Sequence, residues 1–347
     1  MLRVRGHEPD AAGSFLEPSL KQLHDPGLLP DVDRAADRIL CAARQAEPIV
    51  VFGDYDVDGV TAAAILVQTI RSLAPEARIS GYIPHRVSEG YGLNNEAIRT
   101  LAADGARVIV SVDCGITAHE SAAVARELGV DLIITDHHNP PANADALPDA
   151  FAVVHPRRPD SIYPWGELCG AGVAYKLAWR LATLHAGSRT VPPASRELLL
   201  ELLGLAALGT IADVVPLTDE NRVIARFGLM NLSRTSNPGL RALIEASGLG
   251  SSRVDAEAVG FRLAPRLNAV GRLGHAREAF ELLTDATGAR AEELAETLSG
   301  LNDERRRVER RIVDEACEQA EQAGMTGVDS RAIVLRSPDW HPGVIGI

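Results

Sequence analysis

Three short apolar runs in the first half of this chain each end in a cluster of acidic or imidazole side chains, and the spacing between them points to a parallel α/β sheet. Ile49–Phe52 runs into Gly53-Asp54-Tyr55-Asp56-Val57-Asp58-Gly59, Arg107–Val112 into Asp113-Cys114-Gly115, and Asp131–Thr135 into Asp136-His137-His138. A strand buried on both faces reads as such a run. Two more, Arg78–Ile83 and Phe151–Val154, complete the set. Helix-like segments Val60–Leu73, Asn95–Ala103 and Ala118–Leu128 lie between, with Asn94 and Thr117 placed as N-caps. This is βαβ rhythm, and in open α/β sheets ligands collect where strands end and helices begin.

Three carboxylates within five residues repel one another unless something cationic sits among them. The D-x-D-x-D-G spelling also opens an EF-hand loop, but the twelfth position is Ile65 where a bidentate glutamate is needed, and the motif follows a strand. A strand-end site for a smaller hard cation remains. Carboxylates with one or two imidazoles suit magnesium or manganese, and a shared carboxylate can hold two ions ~3.5–4 Å apart, the arrangement for in-line displacement at phosphorus. One Asp at a strand end is commonly just a helix cap. Three Asp-bearing strand ends with the pair His137 and His138 point to metal.

After Pro164 the pattern turns helical, through Gly172–His185, Ser195–Ile211, Glu220–Ser233 and shorter pieces to Leu283. A charged run from Ala289 to about Ala323 keeps Leu294, Leu298, Leu301, Val308 and Ile312 at helical spacing, which predicts one long connector helix. Ala332–Leu335 and Trp340–Ile347 read as the start of a new strand and of a further domain. The predicted organisation is an N-terminal helical flank over 1–46, an α/β core over 47–216, a helical part over 217–288, the connector over 289–324 and a cut-short second domain over 325–347.

Nothing has the length and purity of a membrane span, and Met1–Asp10 lacks the apolar core of a signal peptide, so a cytoplasmic protein is expected. Cys41, Cys114, Cys169 and Cys317 show no paired spacing, which predicts buried free thiols. The formal charge of −12 argues against a coat of basic surface, although bound divalent cations would offset part of it. Lys21 and Lys176 are the only lysines, so nearly all positive charge is arginine.

The chain closely resembles the DHH phosphoesterases and, within them, the RecJ single-strand-specific DNA exonucleases. The matching pieces are Val51–Gly59, Ser111–Gly115, the name-giving Asp136-His137-His138 and Gly209-Thr210-Ile211-Ala212-Asp213-Val214-Val215-Pro216. Glu89–Leu93, Cys169–Leu177, Pro265–Arg272 and Trp340–Ile347 also match, and the last two separate this family from the small DHH pyrophosphatases. The resemblance implies a centre of two divalent cations, Mn2+ or Mg2+, with Asp56, Asp58, Asp113, His137 and Asp213 as ligands and Asp113 as the bridge. Asp54 is implied as a ligand or a partner behind one. Asp136 would orient its neighbours and His138 would contact the scissile phosphate. Asp213 enters by the resemblance alone; unaided it reads as a helix-terminal Asp.

Around Arg266, Asn268 and Arg272, Pro and Gly punctuation suggests a shaped turn, and the resemblance sets nucleic-acid contacts there, with Arg266 the first choice. Gly170 and Gly172, opening a helix, would offer backbone N–H groups to a phosphate, with Lys176 nearby. Arg305, Arg306 and Arg307 interleave with acids and read as a solvated face. Tyr91, Tyr163, Trp165 and Tyr175 are candidate stacking platforms that core packing explains equally well. The family resemblance implies single-stranded DNA as substrate, 5′ to 3′ polarity and a role in recombination and repair; protein partners in repair are not readable. Relatives start earlier than Met1–Gly6 and continue beyond Ile347 into an associated domain and an OB-fold, so a fragment with weak processivity is expected. The competing readings are a DHH phosphatase on short oligonucleotides or pyrophosphate, and a non-catalytic fragment that binds single strands.

Overall fold

The structure, a computed structural model, describes residues 9–250, 252–328 and 330–346. The stretch Met1–Gly6 and the last residue of the Trp340–Ile347 block lie outside them. Strands β1 Ile49–Gly53, β2 Ile79–Tyr82, β3 Val108–Val112, β4 Asp131–Thr135 and β5 Ala152–Val154 form one all-parallel sheet. Their order is β2-β1-β3-β4-β5.

Both faces of this sheet are covered, and the strands divide their side chains between them with period two. Val50 and Phe52 of β1 and Ile109 of β3 join Ile98 and Ala125 on one side, under helices Asn95–Ala103 and His119–Glu127. Ile49, Val51, Val108 and Val110 face the larger core, built with helices Val32–Arg44, Val57–Leu73, Gly170–His185 and Pro193–Ala212. Helix Val57–Leu73 is buried from Val57 to Val67, so it is an apolar rod at the centre of the molecule.

The winding reverses between β1 and β3. From β1 the chain crosses to β2 on one side, then returns to place β3 on the other side of β1. Segments leaving these two strands at their C-terminal ends therefore diverge, which opens a crevice there. Asp54–Asp58 follow β1 and Asp113 follows β3, so both acid clusters sit on its rim.

Several sequence-based expectations are corrected. The region around Arg266 is no turn: Ala256–Ala258, a π-helical stretch Val259–Leu263 and helix Ala264–Leu273 follow without a break. Pro265 fits because it stands in the first turn of the last piece. Ala332–Leu335 forms no strand; it is an exposed segment without regular structure, with no described strand edge beside it. Helix His119–Glu127 has Ala118 at its N-cap, one residue after Thr117, with no side-chain cap. Cys114 and Cys169 are buried free thiols as expected, but Cys317 is exposed on the long helix Gly288–Gln322.

Lys176 is the clearest reversal. Its side chain is fully buried, and its ammonium donates to the Glu220 carboxylate and, at 2.7 Å, to the carbonyl of His24. Glu220 also accepts from the His24 N–H at 2.6 Å and from the Tyr163 hydroxyl. The pair pins the segment before helix Val32–Arg44 to two later helices, and with Lys176 0% exposed its ammonium does not face a ligand. Removing one member of a buried pair strands the other charge, so Glu220→Ala is expected to cost about 3–5 kcal/mol in urea unfolding. A loss below ~1 kcal/mol would contradict this account of Lys176.

Candidate metal centre

The β1 loop spends its three carboxylates differently. Asp56 is the N-cap of helix Val57–Leu73, its Oδ1 accepting from the Gly59 N–H at 3.1 Å. Asp58, in the first turn of that helix, is 2% exposed and reaches across to helix Gly170–His185. There its two oxygens accept from the N–H groups of Gly170 at 2.6 Å and Ala171 at 2.8 Å. A helix N-terminus is an anion site, and here the anion is a side chain of the same chain. Asp54 is also 2% exposed, but its Oδ1 has no hydrogen-bond partner. Asn268 closes the loop from outside, accepting from the Val57 N–H at 3.1 Å.

Asp113 leaves β3 with φ of +62°, a left-handed conformation rare for a residue with a side chain. That turn aims its carboxyl at the crevice. Gly170 must be glycine for it to fit, since a Cβ there would lie 2.6 Å from the Asp113 side chain. At the end of β4, Asp136 is a buried organiser: its Oδ1 accepts from the N–H groups of His137 (2.7 Å) and His138 (3.1 Å), and its Oδ2 from that of Ile116 (2.9 Å). The same Oδ1 lies 2.8 Å from Nδ1 of His138. Behind this segment, buried His155 donates from Nε2 to the His138 carbonyl at 2.7 Å, and Arg157 donates to that of His137.

Asp213 comes from far along the chain, as the C-terminal cap of helix Pro193–Ala212. Gly209, one turn earlier, lets that helix approach closely, because a Cβ there would overlap the Asp58 carboxylate. His137 Nε2 then lies 3.1 Å from Asp113 Oδ1, 3.7 Å from Asp213 Oδ2 and 3.8 Å from Asp58 Oδ2. Ligand atoms of Asp54, Asp56 and Asp113 lie within 4.8 Å of one another, as do those of Asp58, His137 and Asp213, and those of Asp113, His137 and His138. Asp113 Oδ1 and His137 Nε2 are buried without a hydrogen-bond partner. Buried polar atoms are almost always satisfied. These orphans, the carboxylate and imidazole donor set and the overlap of the groups at Asp113 fit two hard divalent cations sharing a carboxylate.

The electrostatics agree. Burial, and then the charge of Asp56, pushes Asp54 up to about 7. Burial is the main cause of the upward shifts of Asp58, Asp113 and Asp213 as well. Burial also works against ionised Asp136, but the His138 hydrogen bond and charge outweigh it and hold that carboxyl below its usual value. Reciprocally, the hydrogen bond to Asp136 raises His138. Burial lowers His137, leaving a neutral imidazole suited to ligation.

The substrate contacts expected from sequence fare unevenly. Arg272 stands near Asp56, Tyr55, Arg86 and Arg305, at the edge of the acid cluster. Arg266 does not: it donates to Ser299 Oγ at 3.1 Å and to the Arg262 carbonyl at 2.7 Å, and its charged neighbours are Arg306, Asp303 and Arg262. Gly172 is buried with its N–H on Cys169 Sγ, so it meets no phosphate. Lys176 is locked in the core. Of the four aromatic candidates, Tyr163 and Tyr175 are core and Trp165 is half-buried against it. Tyr91 is 55% exposed with its hydroxyl 3.1 Å from His138 Nε2. Sequence reading missed Tyr55 and Arg86: the Arg86 guanidinium lies over the Tyr55 ring at 4.8 Å, and that ring meets Tyr91 edge-on at 6.3 Å. The signal for Tyr55 was its place between Asp54 and Asp56. Arg86 had none.

Residues 48–210 match the model of the DHH family, N-terminal domain. The single-stranded-DNA-specific exonuclease RecJ of Bacillus subtilis (strain 168) is 46% identical over 348 residues, covering 100% of this chain and 42% of that protein. A crystal structure of RecJ with Mn2+ from Thermus thermophilus superposes with a TM-score of 0.79 at 37% identity, over 96% of this chain and 45% of that one. A crystal structure of exonuclease RecJ bound to manganese gives 0.79 at 39%, over 94% and 77%. The chain spans about half the length of the curated relatives it matches.

The upward shift of Asp54 sets a pH dependence for protein held in chelator. Its folded pKa lies above the ordinary value near 3.8, so the folded state binds more protons and stability falls as pH rises from about 4 towards about 7. Thermal melts in chelator are expected to drop across that window, and manganese should raise the midpoint most at the upper end, where the carboxylates are ionised. A midpoint that manganese leaves unmoved at pH 8 would contradict the assignment.

Proposed function

Because the chain belongs to the DHH family, and within it to the RecJ exonucleases, we propose that it hydrolyses phosphodiester bonds of single-stranded DNA, 5′ to 3′, with two divalent cations, manganese or magnesium. The setting that goes with this reading is recombination and repair, in the cytoplasm. Among the described residues no helix is long and apolar enough to cross a membrane. The observation that carries the proposal is the run of overlapping ligand groups, joined first at Asp113 and then at His137, with buried oxygen and nitrogen atoms that no described residue satisfies.

In this reading Asp54 and Asp56 hold one cation, Asp58, His137 and Asp213 hold the other, and Asp113 bridges them. When bound, such a pair lowers the pKa of an attacking water and neutralises charge on the phosphoryl oxygens. The protein does the positioning. Asp58 is fixed by two backbone N–H groups, and Asp136 fixes the peptide and ring of His138. Its hydrogen bond keeps His138 protonated to higher pH, so a half-exposed imidazolium faces the crevice, able to contact a phosphate oxygen and to deliver a proton to the leaving oxygen. The edge formed by Arg86, Tyr55 and Tyr91 offers ring faces and a guanidinium beside the same crevice, which suits unpaired bases.

A gel assay of an end-labelled single strand with manganese tests this. The expected result is release of mononucleotides from a long 5′-phosphorylated strand, with Asp113→Ala abolishing turnover. His138→Ala should lower kcat by about 10²–10⁴-fold and leave the manganese-induced thermal shift in place. Undiminished cleavage by the Asp113 variant would refute the two-cation reading, and activity confined to dinucleotides or pyrophosphate would favour the phosphatase.

A further inference from the structure

The pairing of β4 with β5 runs one residue past Thr135, where the Asp136 N–H still reaches the Val154 carbonyl at 3.2 Å. His137 and His138 come next, beyond the end of β5. Their polar backbone groups need partners that no strand ladder supplies there. Asp136 accepts from both of their N–H groups. Their carbonyls are met by side chains from the end of the neighbouring strand. His155 Nε2 donates to that of His138 at 2.7 Å, and Arg157 Nη2 to that of His137 at 2.5 Å.

His155 follows β5 directly and is 0% exposed, so it touches no substrate. Its Nδ1 accepts from the Arg157 N–H at 3.0 Å, which leaves the ring proton on Nε2, the atom that donates to His138. A backbone group on each side thus fixes both the tautomer and the tilt of the ring. Arg157 is held by close packing: a Cβ at Gly166 would lie 2.7 Å from its Cγ. With the N–H groups taken by Asp136 and the carbonyls by His155 and Arg157, the successive peptide planes around His137 and His138 cannot turn. The Cα–Cβ bond of His137 is therefore fixed, and its Nε2 stays 3.1 Å from Asp113 Oδ1. A ligand has to be held to within about 0.5 Å, and the hydrogen bonds behind it do the holding.

We infer that His155 and Arg157 are positioning residues, a clamp on the carbonyls of His138 and His137 that aims the His137 imidazole at the cation it holds. The inference rests on the proposed two-cation centre and extends it to a pair of residues behind the ligands. It also sets a selectivity. The clamp serves the cation on Asp58, His137 and Asp213, and leaves the one on Asp54 and Asp56 alone.

Manganese uptake by the metal-free protein tests this without turnover, followed through the EPR signal of the free ion well below the melting midpoint of every variant. The parent should take up two ions. His155→Phe keeps the bulk of the ring and loses both hydrogen bonds, and Arg157→Met keeps the stem and loses the guanidinium. Each should weaken one uptake step about 10–100-fold and leave the other within about twofold of the parent. His155→Gln, whose amide still donates from the position of Nε2, should recover most of the loss. Uptake within about twofold of the parent at both steps, in both variants, overturns the clamp and leaves the two-cation centre standing. So does an equal loss at both steps in all three variants, the mark of a structural role. Should His155→Phe fail to fold, Arg157→Met decides by the same criteria. A parent that takes up no manganese overturns the cation reading and the clamp with it.

Discussion

Every feature of the centre answers one electrostatic problem, that of holding Asp54, Asp56, Asp58, Asp113, Asp136 and Asp213 around one crevice with little water. The backbone solves part of it. Asp56 takes the start of helix Val57–Leu73, Asp58 the start of helix Gly170–His185, and Asp136 three N–H groups of its own surroundings. Among the acids and imidazoles of the centre, the buried atoms left without a hydrogen-bond partner are on Asp54, Asp113 and His137, where the ligand groups overlap. Helix dipoles stabilise some of the anions, and the remainder sets the demand for cations.

The fold supplies the geometry for that division. Reversal of winding between β1 and β3 makes the crevice, and close helix approach at Gly170 and Gly209 brings a distant helix pair against it. Asn268 and Arg272 then come in on helix Ala264–Leu273, which ties the loop after β1 to the helical half of the chain through Val57. The geometry of the centre therefore depends on contacts between segments as much as two hundred residues apart, so substitutions at those contacts reach it without touching an acid of the cluster.

What could be read from sequence was what is written locally. Doubly buried strands, their acidic ends and the helices between them depend on short-range apolar pattern, and β1, β3 and β4 fall where that pattern set them. Asp213 has no such local mark: it is one more helix-terminal Asp until the helix is packed against Asp58, and only the family resemblance singled it out. Lys176 misled because a cation near a glycine-rich helix start resembles a phosphate site, while its true partner, Glu220, is 44 residues away. Arg305 misled for the converse reason. In a helix dense with arginine and acid the sequence does not say which residue faces a neighbour, and the packing of the long helix against Ala264–Leu273 selects this one and leaves Arg306 and Arg307 outside. The predicted strand at Ala332–Leu335 has the right composition but no described partner.

The most direct measurement is anomalous diffraction at the manganese edge from crystals of this chain grown with the ion. The account predicts two peaks ~3.5–4 Å apart, one against Asp54 and Asp56, one against Asp58, His137 and Asp213, with Asp113 between them. A single peak elsewhere, or ordered density in which these side chains satisfy one another without any ion, would contradict it.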